Sequence, residues 1–208
     1  MPAVTVKAFS ELIHTPLYGQ LRILNEQKYP KQAPGFFKIQ YYRPALSAIR
    51  RYYLGGNNLA LLPATAHEIT GVGRQDHQRQ NNHRTITAFR NGRQKDRPLV
   101  LSESQTWELT LGNVIIRCTP DLCFSEGGSS GIILFDCRDQ EPEEEIIRTT
   151  VELFHCTLTE NGVNLPMRRI EYIHLDSDKI HRWNARRQTT INRANQTAAA
   201  IQTLWDSI

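Results

Sequence analysis

Between Leu99 and Arg138 the apolar residues recur at every second position, and two turn signals fall inside that stretch. Gly112-Asn113 separates Trp107–Leu111 from Val114–Cys118, a two-residue hairpin that pairs Glu108 with Arg117. Gly127-Gly128-Ser129-Ser130 separates Leu122–Glu126 from Gly131–Phe135. Read as a four-residue turn, it sets Glu126 against Gly131 and therefore Asp121 against Asp136. Directly opposed Cβ atoms lie about 4.5–5.5 Å apart, and like charges placed there destabilise a sheet. Something positive is predicted between the two carboxylates. A divalent cation would satisfy them, and metal-assisted hydrolysis is the chemistry such a site commonly performs.

The segments around these hairpins read as helices. Arg43 and Pro44 open one, Ala45, Leu46, Ile49, Tyr52 and Tyr53 share its inner face, and Gly55-Gly56 stops it. Thr65-Ala66-His67-Glu68 reads as a capping box that starts another, with an open choice for Asp76–Asp96 between continued helix, loop and ordering on a partner. Pro142 followed by Glu143, Glu144 and Glu145 begins a helix that Asn161-Gly162 ends. Arg169–Leu175 reads as a strand with a short return strand through Trp183, and Ile191, Ala194, Ala198, Ile201, Leu204, Trp205 and Ile208 mark a last helix. Met1–Gly35 shows no clear period and reads as a helical turn or two plus coil. The fold class is α/β or α+β: a central mixed sheet, built from three or four strands in antiparallel meander order plus a further strand, flanked by helices.

At 208 residues the chain can bury one substantial core, and it reads as a single domain with an N-terminal helical extension over about 1–62. Met1–Lys31 is polar and broken by prolines, unlike a signal peptide, and no apolar run approaches the ~20 residues that span a bilayer. A soluble, cytoplasmic protein without a membrane partner is expected. Cys118, Cys123, Cys137 and Cys156 lack metal-ligand spacing and read as reduced core thiols.

The net charge is +4, unevenly placed. From Gly71 to Arg97 seven basic residues (Arg74, Arg79, Arg84, Arg90, Arg93, Lys95 and Arg97) face only Asp76 and Asp96. Arg182, Arg186, Arg187 and Arg193 form a second block with no acid from His181 to Arg193. Such arginine-rich stretches suit phosphate contact, and equally a solvated loop.

Alternation along the second hairpin sends Asp121, Cys123, Ser125, Leu134, Asp136 and Arg138 to one face, and Leu122, Phe124, Ile133 and Phe135 to the other. Thr119-Pro120-Asp121, a hairpin, and Asp136-Cys137-Arg138, followed by a helix, a strand and a final helix, resemble the PD-(D/E)xK nuclease superfamily, and more closely its RecB-like exonuclease branch. The resemblance runs from about Thr65 to the C-terminus. It implies a restriction-endonuclease-like core, with His67, Asp121, Asp136 and the Cys137 carbonyl as ligands of Mg²⁺ or Mn²⁺. His67 and Glu68 occupy the place of the branch's upstream histidine or glutamate, which makes Glu68 a further catalytic candidate. Arg138 stands at the family's lysine and would stabilise charge on the phosphorane; Thr150 and Phe154 stand at the spacing of the branch's glutamine and tyrosine.

Function is therefore expected to be metal-dependent hydrolysis of DNA, in repair, recombination or defence, with Arg74, Arg79, Arg84, Arg90, Arg93, Arg186 and Arg187 on the phosphate backbone and a helicase or another protein as partner. Two alternatives stand beside it. One is a degenerate, inactive nuclease fold acting as a nucleic-acid-binding or assembly subunit; the other is a protein-interaction module.

Overall fold

The computed structural model describes residues 1–29, 41–70 and 76–208. The N-terminus is more regular than its sequence suggests: strand β1 (Ala3–Thr5) runs straight into helix α1 (Val6–His14), followed by α2 (Leu17–Lys28). Thr5 caps α1 by accepting a hydrogen bond from the Ala8 amide, and Val6, Phe9 and Leu12 fall on one buried stripe. Nine residues hold too few turns for a period to stand out in the sequence.

Helix α3 (Arg43–Leu54) has Pro44 in its first turn and ends at Gly55, as its punctuation predicts. The capping box at Thr65 does not start a long helix. It makes a single 3-10 turn, Ala66–Glu68, in which the Glu68 carboxylate reaches back to the Ala64 amide (2.7 Å) and the Thr65 hydroxyl (3.2 Å), and the backbone is extended again at Ile69. The long helix is α4 (Asp76–Asn91), so the polar stretch that could have looped out is helical, anchored by buried Asn82, Thr85, Ile86 and Phe89.

Strands β2 (Val100–Ser102), β3 (Trp107–Leu111), β4 (Val114–Cys118), β5 (Leu122–Glu126) and β6 (Ser129–Asp136) follow. They are divided between two sheets rather than joined in one meander. The β3–β4 hairpin pairs as expected, with Glu108 opposite Arg117 and an ion pair of 3.1 Å between them. Its other neighbour is β1, which lies parallel to β4 in a three-stranded sheet ordered β1-β4-β3. β2 skips over this hairpin and pairs with β5 instead.

The five-stranded sheet is ordered β2-β5-β6-β7-β8, where β7 is Ile170–His174 and β8 is Lys179–His181. β6 and β7 are parallel and the remaining pairs antiparallel. A parallel neighbour needs a crossover, supplied by helix α5 (Glu144–Glu160) with its acidic first turn. Helix α6 (Gln188–Trp205) closes the chain.

The sheet buries both faces. Leu122, Phe124, Ile133 and Phe135 pack under α3 and α4 with Ile49, Tyr52, Tyr53, Ile86 and Phe89. The opposite face packs Cys123, Ile132, Leu134 and Tyr172 against Phe9, Leu12, Ile116 and Phe154. All four cysteines are free and buried.

The turn between β5 and β6 differs from the sequence expectation in a way that matters for function. Gly127 and Gly128 both take positive φ (57° and 76°) and close a two-residue turn, leaving Ser129 and Ser130 in the strand. Glu126 therefore faces Ser129, and Leu122 faces Ile133. Asp121 falls beside Leu134, one diagonal step from Asp136. A slip of two residues preserves the alternation, so the acids still share a face without being directly opposed.

Candidate functional site

Asp121 precedes β5 and is held by β6 through both backbone and side chain: its amide donates to the Ile133 carbonyl (3.0 Å), and its Oδ2 accepts the Phe135 amide (2.7 Å). The carboxylate thus satisfies a strand-end N–H. The predicted positive charge is present, and it belongs to the protein. Lys7, the second residue of α1, places its ammonium 3.7 Å from Asp121 Oδ2 and donates to the Phe135 carbonyl at 2.7 Å. The same ammonium lies 5.8 Å from the centre of the Tyr172 ring.

Asp136 ends β6 and is 4% exposed. Its Oδ1 accepts the Arg138 amide (2.9 Å) and Nε (3.0 Å); its Oδ2 accepts Arg138 Nη2 (2.6 Å) and the Tyr172 hydroxyl. Burial alone would raise the Asp136 pKa, but the Arg138 guanidinium outweighs it and holds the carboxyl down to about 2. Burial also pushes the Tyr172 hydroxyl well above its ordinary value, so it stays a donor. Arg138 extends the network to Glu11 on α1 (2.9 Å), and its carbonyl accepts the Nε2–H of buried His174 at 2.9 Å. A carbonyl can only accept, so His174 carries its proton on Nε2 and its Nδ1 accepts the Ser177 hydroxyl at 2.8 Å.

The other predicted ligands do not converge on this pair. The Cys137 carbonyl accepts from Arg84 at 3.3 Å, and burial holds the Cys137 thiol far above the range in which it would ionise. His67 and Glu68 are exposed on the 3-10 turn that packs against α4, over the sheet face that carries Leu122 and Phe135. Asp121 and Asp136 alternate to the other face. Among the described residues no three His, Cys, Asp or Glu side chains are grouped to hold a metal ion.

This donor set does not fit Mg²⁺ or Mn²⁺ as it stands. A hard cation needs carboxylate and carbonyl lone pairs, and those of Asp136 are filled by Arg138 and Tyr172. One Asp121 oxygen is taken by the Phe135 amide and faces Lys7, and the Cys137 carbonyl is taken by Arg84.

The predicted phosphate-binding arginines are also largely engaged. Arg84 lies 3.7 Å from Asp176 and 4.0 Å from Asp139; Arg90 donates to the Leu62 carbonyl; Arg93 pairs with Asp178 at 3.0 Å. Arg187 binds Glu145 (2.7 Å) and fully buried Glu152 (3.1 Å), and Arg182 binds buried Glu171 (2.7 Å). Arg79 and Arg186 make no ion pair among the described residues, and Arg74 lies outside them.

Lys7, Glu11 and Tyr172 are the members of the site that sequence reasoning passes over. Lys7 and Glu11 are four apart on a short helix and so share a face, but nothing local says which strand that face meets. No protein-family model matches the chain, and no curated protein matches it as a relative.

Proposed function

We propose that this chain is a PD-(D/E)xK-like core in which protein cations stand in the place of the divalent metal, and that it works by binding nucleic acid rather than hydrolysing it. The scaffold half of this reading is supported by the order of parts: Asp121 before a hairpin, Asp136 at its end, then helix α5, strand β7 and helix α6. The loss of turnover is supported by one observation above all. Lys7 and Arg138 already neutralise the acid pair, and Arg138 cannot give up a proton at any accessible pH. An acid pair held in this way ties α1 to the end of the sheet, where it is a structural clasp.

One observation favours the hydrolytic alternative. Lys7 sets a lysine ammonium beside the acid pair, and the family that the chain resembles carries a lysine at its site. That alternative needs Mg²⁺ or Mn²⁺, and it needs Arg138 and Tyr172 to release Asp136 first.

The test is to incubate labelled linear and circular DNA with the protein and Mn²⁺, Mg²⁺ or chelator, and to measure binding of the same DNA by fluorescence anisotropy. The expected result is salt-sensitive binding with no cutting under any condition. Metal-dependent cutting that disappears in Asp121→Ala would overturn the proposal in favour of the hydrolytic alternative.

A further inference from the structure

Helix α3 has the sequence RPALSAIRRYYL, with three arginines and no acid. Its inward residues Ala45, Ala48, Ile49, Tyr52 and Tyr53 are buried against the sheet. The outer face is left with Arg43, Ser47, Arg50, Arg51 and Leu54, recurring at three-, four- and seven-residue steps. From Arg43 to Arg51 this row spans about 12 Å at the usual helical rise.

None of these three arginines has an ion-pair or side-chain hydrogen-bond partner among the described residues. Residues 30–40 and 71–75, outside the description, contain no Asp or Glu, so no acid partner for the row is hidden there. Arg84, Arg93, Arg97, Arg138, Arg182 and Arg187 are by contrast each matched to a carboxylate, although Arg79, Arg168, Arg186 and Arg193 make no ion pair among the described residues. Helix stability accounts for part of the row only. Arg50 and Arg51 near the C-terminal end complement the helix dipole, whereas Arg43 in the first turn opposes it.

We infer that the outer face of α3, through Arg43, Arg50 and Arg51, is the surface that contacts the phosphate backbone of nucleic acid. The inference rests on the nucleic-acid-binding function proposed above and moves the contact away from both basic blocks that dominate the sequence. Guanidinium groups without a carboxylate partner keep their charge for an external anion, and their planar forks match phosphate oxygens. A row of cations along one helix face suits a polymer with one phosphate per about 3.4 Å of each strand. A bilayer is the poorer match, because the apolar side of this helix is already turned into the core.

The test compares the parent with an Arg43→Gln/Arg50→Gln/Arg51→Gln variant, and with an Arg22→Gln/Arg117→Gln/Arg168→Gln variant of equal charge loss at other exposed sites. Circular dichroism checks the fold of each, and anisotropy of a labelled duplex 20-mer is followed from about 50 to 200 mM salt. The α3 variant is expected to bind at least about tenfold more weakly at low salt, with the slope of log K against log [salt] shallower by about 2 to 3. The second variant is expected to keep the parent slope. A parent that binds DNA with a slope the α3 substitutions do not change would overturn the assignment of the surface and leave the proposed function standing. A parent that binds no DNA would overturn both. Binding of vesicles containing anionic lipid, lost in the α3 variant while DNA is ignored, would overturn the ligand class.

Discussion

Lys7 Nζ stands 3.7 Å from Asp121 Oδ2 and donates to the carbonyl of Phe135, whose amide donates to that same Asp121 oxygen. The N-terminal helix thus reaches across the end of the β5–β6 hairpin and supplies the positive charge that two neighbouring acids require. Arg138 does the same for Asp136 from the other side.

Asp136→Ala is expected to destabilise the protein, by about 1–3 kcal/mol, because it leaves the buried Tyr172 hydroxyl without its acceptor, while the half-exposed Arg138 keeps only Glu11. Chemical denaturation of parent and variant in chelator measures this. If the acids repelled each other across an unfilled site, the neutral variant would instead be the more stable.

The depressed Asp136 pKa sets an acid limit. With the carboxyl held down to about 2 in the folded chain against about 3.9 when unfolded, its stabilisation, about 2–3 kcal/mol, is complete above about pH 5 and is lost as the pH falls toward 2. Asp136→Asn should lack this share of the acid dependence. Unfolding free energies at pH 2 to 5 for both proteins check it, and parallel curves would remove the Arg138 bond as the cause.

The two-residue turn makes Gly131 the register partner of Phe124, whose ring covers it: a Cβ there would lie 2.4 Å from the Phe124 Cζ and 3.1 Å from the Arg169 carbonyl. Gly131→Ala should therefore cost about 1–3 kcal/mol, whereas Ser130→Ala, on the exposed end of the strand, should stay within about 0.5 kcal/mol. Equal, small effects in thermal melts would argue for the longer turn.

Arg97 belongs to the basic block but is a core residue in practice, bound to Glu126 (2.8 Å) and to buried Glu171 (2.6 Å) and stacked 5.2 Å from the Phe124 ring. Arg97→Met is expected to lower stability by about 1.5–3 kcal/mol, because buried Glu171 loses its closer partner and keeps only Arg182. In the folded variant the salt dependence of DNA binding should not change.

The helices at Arg43, Glu144 and Gln188, the Gly112-Asn113 hairpin and the shared face of Asp121 and Asp136 were all legible in the sequence, since each rests on local punctuation or on a period of two. The exact register was not, because Gly-Gly-Ser-Ser allows a turn of two residues or four and only Phe124 packing over Gly131 separates them. The separation of β3–β4 into its own sheet was hidden as well, since it depends on β1, three residues that carry no period of their own. The cations at the site were the largest gap. Lys7 and Glu11 lie more than a hundred residues from Asp121 and Arg138, and tertiary packing alone brings them together. The density of arginine says little about free charge for a related reason: charge per segment is visible in a sequence, but which carboxylate it meets is not.

Isothermal titration of Mn²⁺ at neutral pH, into the parent and into a Lys7→Ala/Arg138→Ala variant, tests most directly whether protein cations stand where a metal would. The parent is expected to show no stoichiometric binding, and the variant to gain weak binding that Asp121→Ala abolishes. Tight one-to-one binding by the parent, lost in Asp121→Ala, would mean that Lys7 and Arg138 give way to the ion and would contradict the central claim.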